Sequence, residues 1–180
     1  MNLWIPDPEA PILHTVRWST PLRPHGWQRP SKPPGVPVPV KPKADREWQA
    51  AFLEYFEQEM IRQKLLALFP WSGPLILETW HLYPKPKSWL PGKMKTTDPD
   101  ADNLLKSVCD ALGGGKEGNN NRLVVAYLDD NQVIAKSTWK GFHDSGPAVI
   151  TQMRLLASAE WAVANERARK ASEKEKAPGR

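Results

Sequence analysis

Cysteine is nearly absent: Cys109 is the only one in 180 residues. An intramolecular disulfide is therefore excluded, and a reducing compartment suits the chain. No apolar run approaches the roughly 20 residues that a membrane-spanning helix needs. The first residues carry acids and prolines where a secretion signal would carry basic residues followed by an apolar stretch, so no signal is expected. There is no internal repeat and no sign of a second core. Acidic residues are the minority, 20 against 25 lysines and arginines, which leaves a formal net charge of +5 and an isoelectric point near 9.4. Such a surplus attracts polyanions, although a modest positive charge also serves solubility.

What is present is unevenly spread. Residues 1–44 hold eleven of the nineteen prolines. Within them Ile12-Leu13-His14-Thr15-Val16-Arg17-Trp18 alternates as a strand, with Ile12, His14, Val16 and Trp18 on one face. From Pro21 to Lys43 the chain reads as an extended arm. Its Arg23, Arg29, Lys32, Lys41 and Lys43 either meet phosphate or simply solvate a loop, and Trp27 either stacks on a base or packs the arm down. Asp45 is placed to cap a helix running to about Phe69, with Trp48, Phe52, Tyr55, Phe56 and Met60 on its buried side. After the break at Pro70–Pro74, residues 75–83 read as a central strand. Glu78, Trp80 and Leu82 share one face; Leu77, Thr79, His81 and Tyr83 share the other. His81 is more plausibly structural than a ligand or base, because oxygen-preferring cations do not favour imidazole.

The most informative stretch is Asp98-Pro99-Asp100-Ala101-Asp102-Asn103-Leu104-Leu105-Lys106, continuing to Leu112. Leu104, Leu105, Val108 and Leu112 recur at helical spacing. Asp102 or Asn103 is expected to cap this helix, and Gly113-Gly114-Gly115 to end it. Cys109 lies inside it and reads as small apolar filler. In an extended approach to the helix, Asp100 and Asp102 point the same way, a pairing that suits a hard divalent cation. The Asp129-Asp130 turn could supply a third carboxylate. A lone aspartate at a helix start is explained by the helix dipole; two of them with a later Asp-Asp turn, inside a basic chain, favour a metal site. Lys106 falls four residues after Asp102 and four before Asp110, so an acid, a base and an acid share one helix face.

Upstream, Lys85, Lys87, Lys93 and Lys95 interleave with Trp89 in a loop that runs into these acids, where a phosphate backbone would be gripped. Downstream, residues 132–142 alternate as a strand. Val133, Ala135, Ser137 and Trp139 are expected on one face; Ile134, Lys136, Thr138 and Lys140 on the other. Lys136 and Lys140 then lie over a DNA path or protect a wet sheet edge. Residues 148–156 form a last strand. The expected organisation is one α+β domain: a strand and proline-rich arm over 1–44, a core domain over 45–156 with a small mixed β-sheet and packed helices, and a charged, frayed tail over 157–180.

The run Asp100-Ala101-Asp102-Asn103-Leu104-Leu105-Lys106, then Asp110-Ala111-Leu112, then Asp129-Asp130-Asn131-Gln132-Val133, resembles the RusA family of Holliday junction resolvases. The resemblance implies an endonuclease acting on four-way DNA junctions with magnesium, or manganese in its place, and a homodimer cutting opposed strands. It implies Asp100, Asp102 and Asp130 as metal ligands, the second acid of the Asp-Asp pair being the functional one, and Lys106 as a residue that matters for cleavage. It also implies a bacterial cytoplasm, from a bacterial or phage genome. Gly113–Asn121 reads as an insertion relative to that family.

Overall fold

The computed structural model describes residues 11–31, 35, 39–90, 95–113 and 125–157. Four strands form one mixed sheet: β1 (Ile12–Thr20), β2 (Leu75–Pro84), β3 (Val133–His143) and β4 (Ala148–Leu156). Their order is β1-β4-β2-β3, with β4 antiparallel to both β1 and β2, and β3 parallel to β2. Two helices, α1 (Lys43–Arg62) and α2 (Ala101–Leu112), complete the single α+β domain. The parallel β2–β3 pair requires a crossover, and α2 provides it. None of the described helices is long and apolar enough to cross a membrane.

The sheet is one-sided. Along β2, Leu75, Leu77, Thr79, His81 and Tyr83 are buried, while Ile76, Glu78, Trp80 and Leu82 are half-buried, as the alternation predicts. Phe52, Phe56 and Met60 of α1, and Val108, Ala111 and Leu112 of α2, join Leu75, Leu77, Val149 and Met153 in one core. On the other face Trp80 stacks on Trp139 at 4.9 Å, and Glu78 accepts from Arg154 Nη2 at 2.7 Å and Gln152 Nε2 at 2.9 Å. Glu78 thus points away from the helices and from the acids of α2.

Three expectations are corrected. The first helix ends at Arg62 instead of Phe69, because Lys64 takes a positive φ of 60° and a short 3₁₀ turn, Leu66–Leu68, follows. Tyr55 of that helix is exposed. In β3 the register slips between the Leu75–Val133 and Ile76–Ala135 pairs. This bulge moves one residue out of step and flips every later side chain. Lys136, Thr138 and Lys140 therefore share the helix-covered face with Val133, opposite Leu77, Thr79 and His81. The charged tail expected over 157–180 lies outside the described residues from 158 onward.

His81 is wholly buried, with Nε2 3.1 Å from Thr79 Oγ1, and burial pushes its imidazole down to about 4. It is a core residue and not a ligand. In the unfolded chain it titrates near 6.5. Its stabilising contribution is complete above that value and is lost as pH falls towards 4, a change of about 3 kcal/mol. Urea unfolding of wild type and His81→Gln at pH 7, 5.5 and 4 should show a steeper loss in wild type; parallel curves would contradict this.

Candidate active site

The structure places Asp100 at the N-cap of α2, where its Oδ1 accepts from the Asn103 amide at 2.8 Å. Sequence had placed the cap at Asp102 or Asn103. Asp102 instead occupies the first turn of the helix, exposed beside Asp100. Asp100 and Asp102 thus share the N-terminal turn of α2 as cap and first-turn residue, and do not alternate on an extended segment. Both sit where the free amides and the helix dipole favour negative charge.

The Asp-Asp turn divides its labour clearly. Asp129 caps a 3₁₀ turn, Asp130–Gln132, accepting from the Asn131 amide at 2.9 Å. Gln132 closes the turn: its Oε1 accepts from the Leu128 and Asp129 amides at 2.8 Å each, and its Nε2 donates to Trp71 O and Gly73 O. Asp129 is thereby engaged as a cap, and Asp130 is exposed beside Tyr127, to which its carboxylate is hydrogen-bonded. Its Oδ1 would lie 2.8 Å from a Cβ built on Gly113, which is the C-cap of α2. There Tyr127 OH donates to Cys109 O at 3.1 Å, and burial pushes the Tyr127 phenol up. Burial likewise pushes the Cys109 thiol up, as befits packing and not nucleophilic chemistry.

Asp130 and the Asp100–Asp102 pair therefore mark opposite ends of α2. Twelve residues at 1.5 Å each separate these ends by roughly 18 Å. Among the described residues, no group of three or more His, Cys, Asp or Glu side chains is arranged to hold a metal ion. The expected convergence of Asp100, Asp102 and Asp130 does not occur within one chain, and the physical reason is the rigid helix between them.

Lys106 lies midway along the same helix. Its Nζ is 3.3 Å from Asp110 Oδ1 and 4.9 Å from the centre of the Trp27 ring. Lys41, from the end of the proline-rich arm, reaches Asp110 Oδ2 at 3.2 Å and Gln49 Oε1 at 3.1 Å. Asp110 is thus a structural acid shared by two lysines.

The other lysines behave differently from one another. Lys140 donates to Thr97 O at 3.1 Å and Pro99 O at 3.0 Å. Lys95 donates to Thr97 Oγ1, and to Asp98 O at 2.9 Å, and burial followed by the nearby Lys140 charge lowers its pKa. These two ammoniums brace the loop that delivers Asp100. Lys85 is paired with Asp144 at 2.6 Å and lies over the Trp89 ring. Lys87 and Lys136 are exposed. Lys32, Lys93 and most of the glycine-rich stretch, 114–121, lie outside the described residues.

Sequence reasoning missed the arm. Asp45 was read as a helix cap, yet α1 begins at Lys43 with Pro42 at its N-cap, and Asp45 is completely buried. Its Oδ1 lies 2.7 Å from His25 Nε2, and its Oδ2 accepts from the Gln28 amide at 3.0 Å. Trp48 Nε1 donates to Arg23 O, and the Trp27 amide donates to Asn103 O on α2, each at 2.9 Å. A cleft of about 480 Å³ lies between residues 24–28 and the Asp98–Asp100 loop. The signal in sequence was weak: the buried face of α1 carries Asp45 and Gln49 ahead of Phe52, Leu53, Phe56 and Met60, and Asp45 reads equally as a cap.

A family model described as endodeoxyribonuclease RusA matches residues 21–154. None of the curated proteins matches the chain. The matched span begins at the arm and ends within β4, so it contains the cleft, α2, the Asp129–Asp130 turn, β2 and β3 whole and most of β4.

Proposed function

The chain belongs to the RusA endodeoxyribonuclease family, and from that membership together with the site just described we propose that it cuts four-way DNA junctions by paired, symmetric, magnesium-dependent nicks during recombination and repair. Membership itself implies a nuclease that resolves Holliday junctions, with branched DNA as substrate. The finer terms are our reading. The observation that carries it is the arrangement along α2: exposed acids at both ends, Asp100 and Asp102 at one and Asp130 at the other, with Lys106 between them.

A twofold axis perpendicular to α2 and passing beside its middle would set the helix antiparallel to its copy. It would bring Asp130 of the partner subunit beside Asp100 and Asp102, and it would do so twice. The homodimer is thus required for more than symmetry of cutting: each site is completed by the second copy. Cyclic dimers with self-complementary interfaces are the commonest assemblies, and two identical sites on one axis suit a junction with twofold symmetry.

Among the described residues, no group of three or more carboxylates of one chain is arranged to hold a metal ion. Oxygen donors from Asp100, Asp102 and the partner subunit's Asp130 are of the type magnesium prefers, with manganese as substitute. The chain's own contribution is clearer. Lys106 holds a positive charge midway along the helix, suited to offsetting charge that builds on a scissile phosphate. Lys95 and Lys140 fix the loop ahead of Asp100; Lys85, Lys87, Lys93 and Lys136 would add to the field that draws the phosphate backbone. A bacterial cytoplasm, with a bacterial or phage genome as source, is the setting proposed.

Synthetic four-way junction, flap and linear duplex, each incubated with magnesium or with chelator, test the reading. Paired nicks at symmetry-related positions of the junction, abolished by chelator, are expected. Equal cutting of flaps would favour a broader branched-DNA nuclease. Tight junction binding without cutting at any magnesium concentration would make the chain a DNA-binding module.

A further inference from the structure

The arm enters the site as a fixed element. We propose that residues 23–28 are a positioning strap for cleavage, latched to α1 by the buried Asp45, and that the Trp27 ring holds the Lys106 ammonium in place. The inference rests on the reading of Lys106 as a cleavage residue.

Six contacts fix the strap. Asp45 takes the His25 ring and the Gln28 amide, one with each oxygen. The His25 ring stacks on Trp48 at 5.9 Å, and Trp48 also holds Arg23 O. The Trp27 amide closes on Asn103 O, one helical turn before Lys106. Gly26 backs onto Pro99 so closely that a Cβ at 26 would stand 2.4 Å from Pro99 Cβ. A glycine is needed there for close approach of its backbone to the Pro99 ring and not for an unusual φ. The strap thereby touches the segment carrying Asp100 and the turn carrying Lys106 at once.

The chemistry follows from geometry. A free lysine side chain samples many rotamers and loses considerable entropy when one is imposed. Asp110 alone would draw the Lys106 ammonium back along the helix as an ordinary i,i+4 pair. The Trp27 face, 4.9 Å from Nζ, provides a second attraction from the side. It accepts no hydrogen bond through a lone pair, so the ammonium protons not donated to Asp110 stay available to a phosphate oxygen. Trp27 is therefore a positioning residue, acting through Lys106.

The test is a double-mutant cycle read by single-turnover nicking of a synthetic four-way junction with magnesium. Trp27→Ala should lower the rate by about three- to tenfold, the range of a partly shielded cation–π contact, with junction affinity nearly unchanged. Trp27→Phe should restore most of the rate. In a Lys106→Met background, Trp27→Ala should have no further effect, since the interaction it removes is already gone. Carbon NMR of reductively methylated lysines gives a readout independent of cutting: the Lys106 methyl signal should carry a ring-current shift that Trp27→Ala abolishes. An equal loss of rate in both backgrounds, or no loss in either, overturns the strap while leaving the nuclease reading intact. Wild-type protein that keeps the ring-current shift but cuts no branched DNA overturns that reading, and with it the role given to Trp27.

Discussion

Asp100→Asn should abolish junction cutting, with a fall on the order of a thousandfold or more, while the protein stays folded and still binds the junction. The two outcomes separate because the proposal gives Asp100 a second job beside its cap. Its Oδ1 caps α2 through the Asn103 amide, and asparagine caps a helix about as well as aspartate does. The variant therefore keeps the cap and loses only the negative charge and the second ionised oxygen. Unfolding free energy should move by no more than about 0.5 kcal/mol. Asp100→Ala confounds the two, because it also removes the cap at a cost of about 1 kcal/mol. Removing a carboxylate from a nuclease site also lowers the local negative potential, so junction binding by the asparagine variant should be unchanged or tighter. A variant that binds and unfolds like wild type but still cuts at a comparable rate would remove Asp100 from the catalytic set.

The parts of this account that sequence carried are those governed by periodicity. Alternation in residues 75–83 assigned both faces of β2 correctly, since a half-buried strand leaves its period in the residue types. The apolar stripe of α2 likewise placed Leu104, Val108 and Leu112 in the core. Local pattern failed where a single backbone event resets it. The bulge at the start of β3 is invisible in residue types, yet it turns Lys136 and Lys140 to the helix-covered face. Lys64 ends α1 inside a stretch whose composition continues to favour helix.

At the site, residue identity was legible and spatial arrangement was not. Asp130 was preferred over Asp129 by resemblance alone; in the structure Asp129 caps the 3₁₀ turn and Asp130 lies against Gly113 at the end of α2. The convergence of three acids was inferred from their order along the chain, and order is silent about the length of the helix between them. The strap was hidden for a related reason. Asp45 reads locally as a cap, and its true partners, His25 and Gln28, lie about one arm's length earlier in sequence, bonded to it only after the arm folds back.

The helix between the acids makes one claim central: a complete site takes Asp100 and Asp102 from one copy and Asp130 from the other. Two inactive variants, Asp100→Asn and Asp130→Asn, distinguish this from a site within one chain. In a mixed dimer with shared sites, one site collects both substitutions and the other collects neither. In a mixed dimer with self-contained sites, each site carries one substitution and both are dead. The dimer is best obtained by co-expressing the variants with different tags and purifying on both, so that every dimer assayed is mixed. Nicking of a four-way junction by each variant alone and by the mixed dimer is the deciding measurement. The account predicts no cutting by either variant and recovery to roughly half the wild-type nicking rate in the mixture, as single nicks, because one of two symmetric sites is intact. A mixed dimer that cuts no better than its parents, alongside wild-type protein that cuts normally, would contradict it.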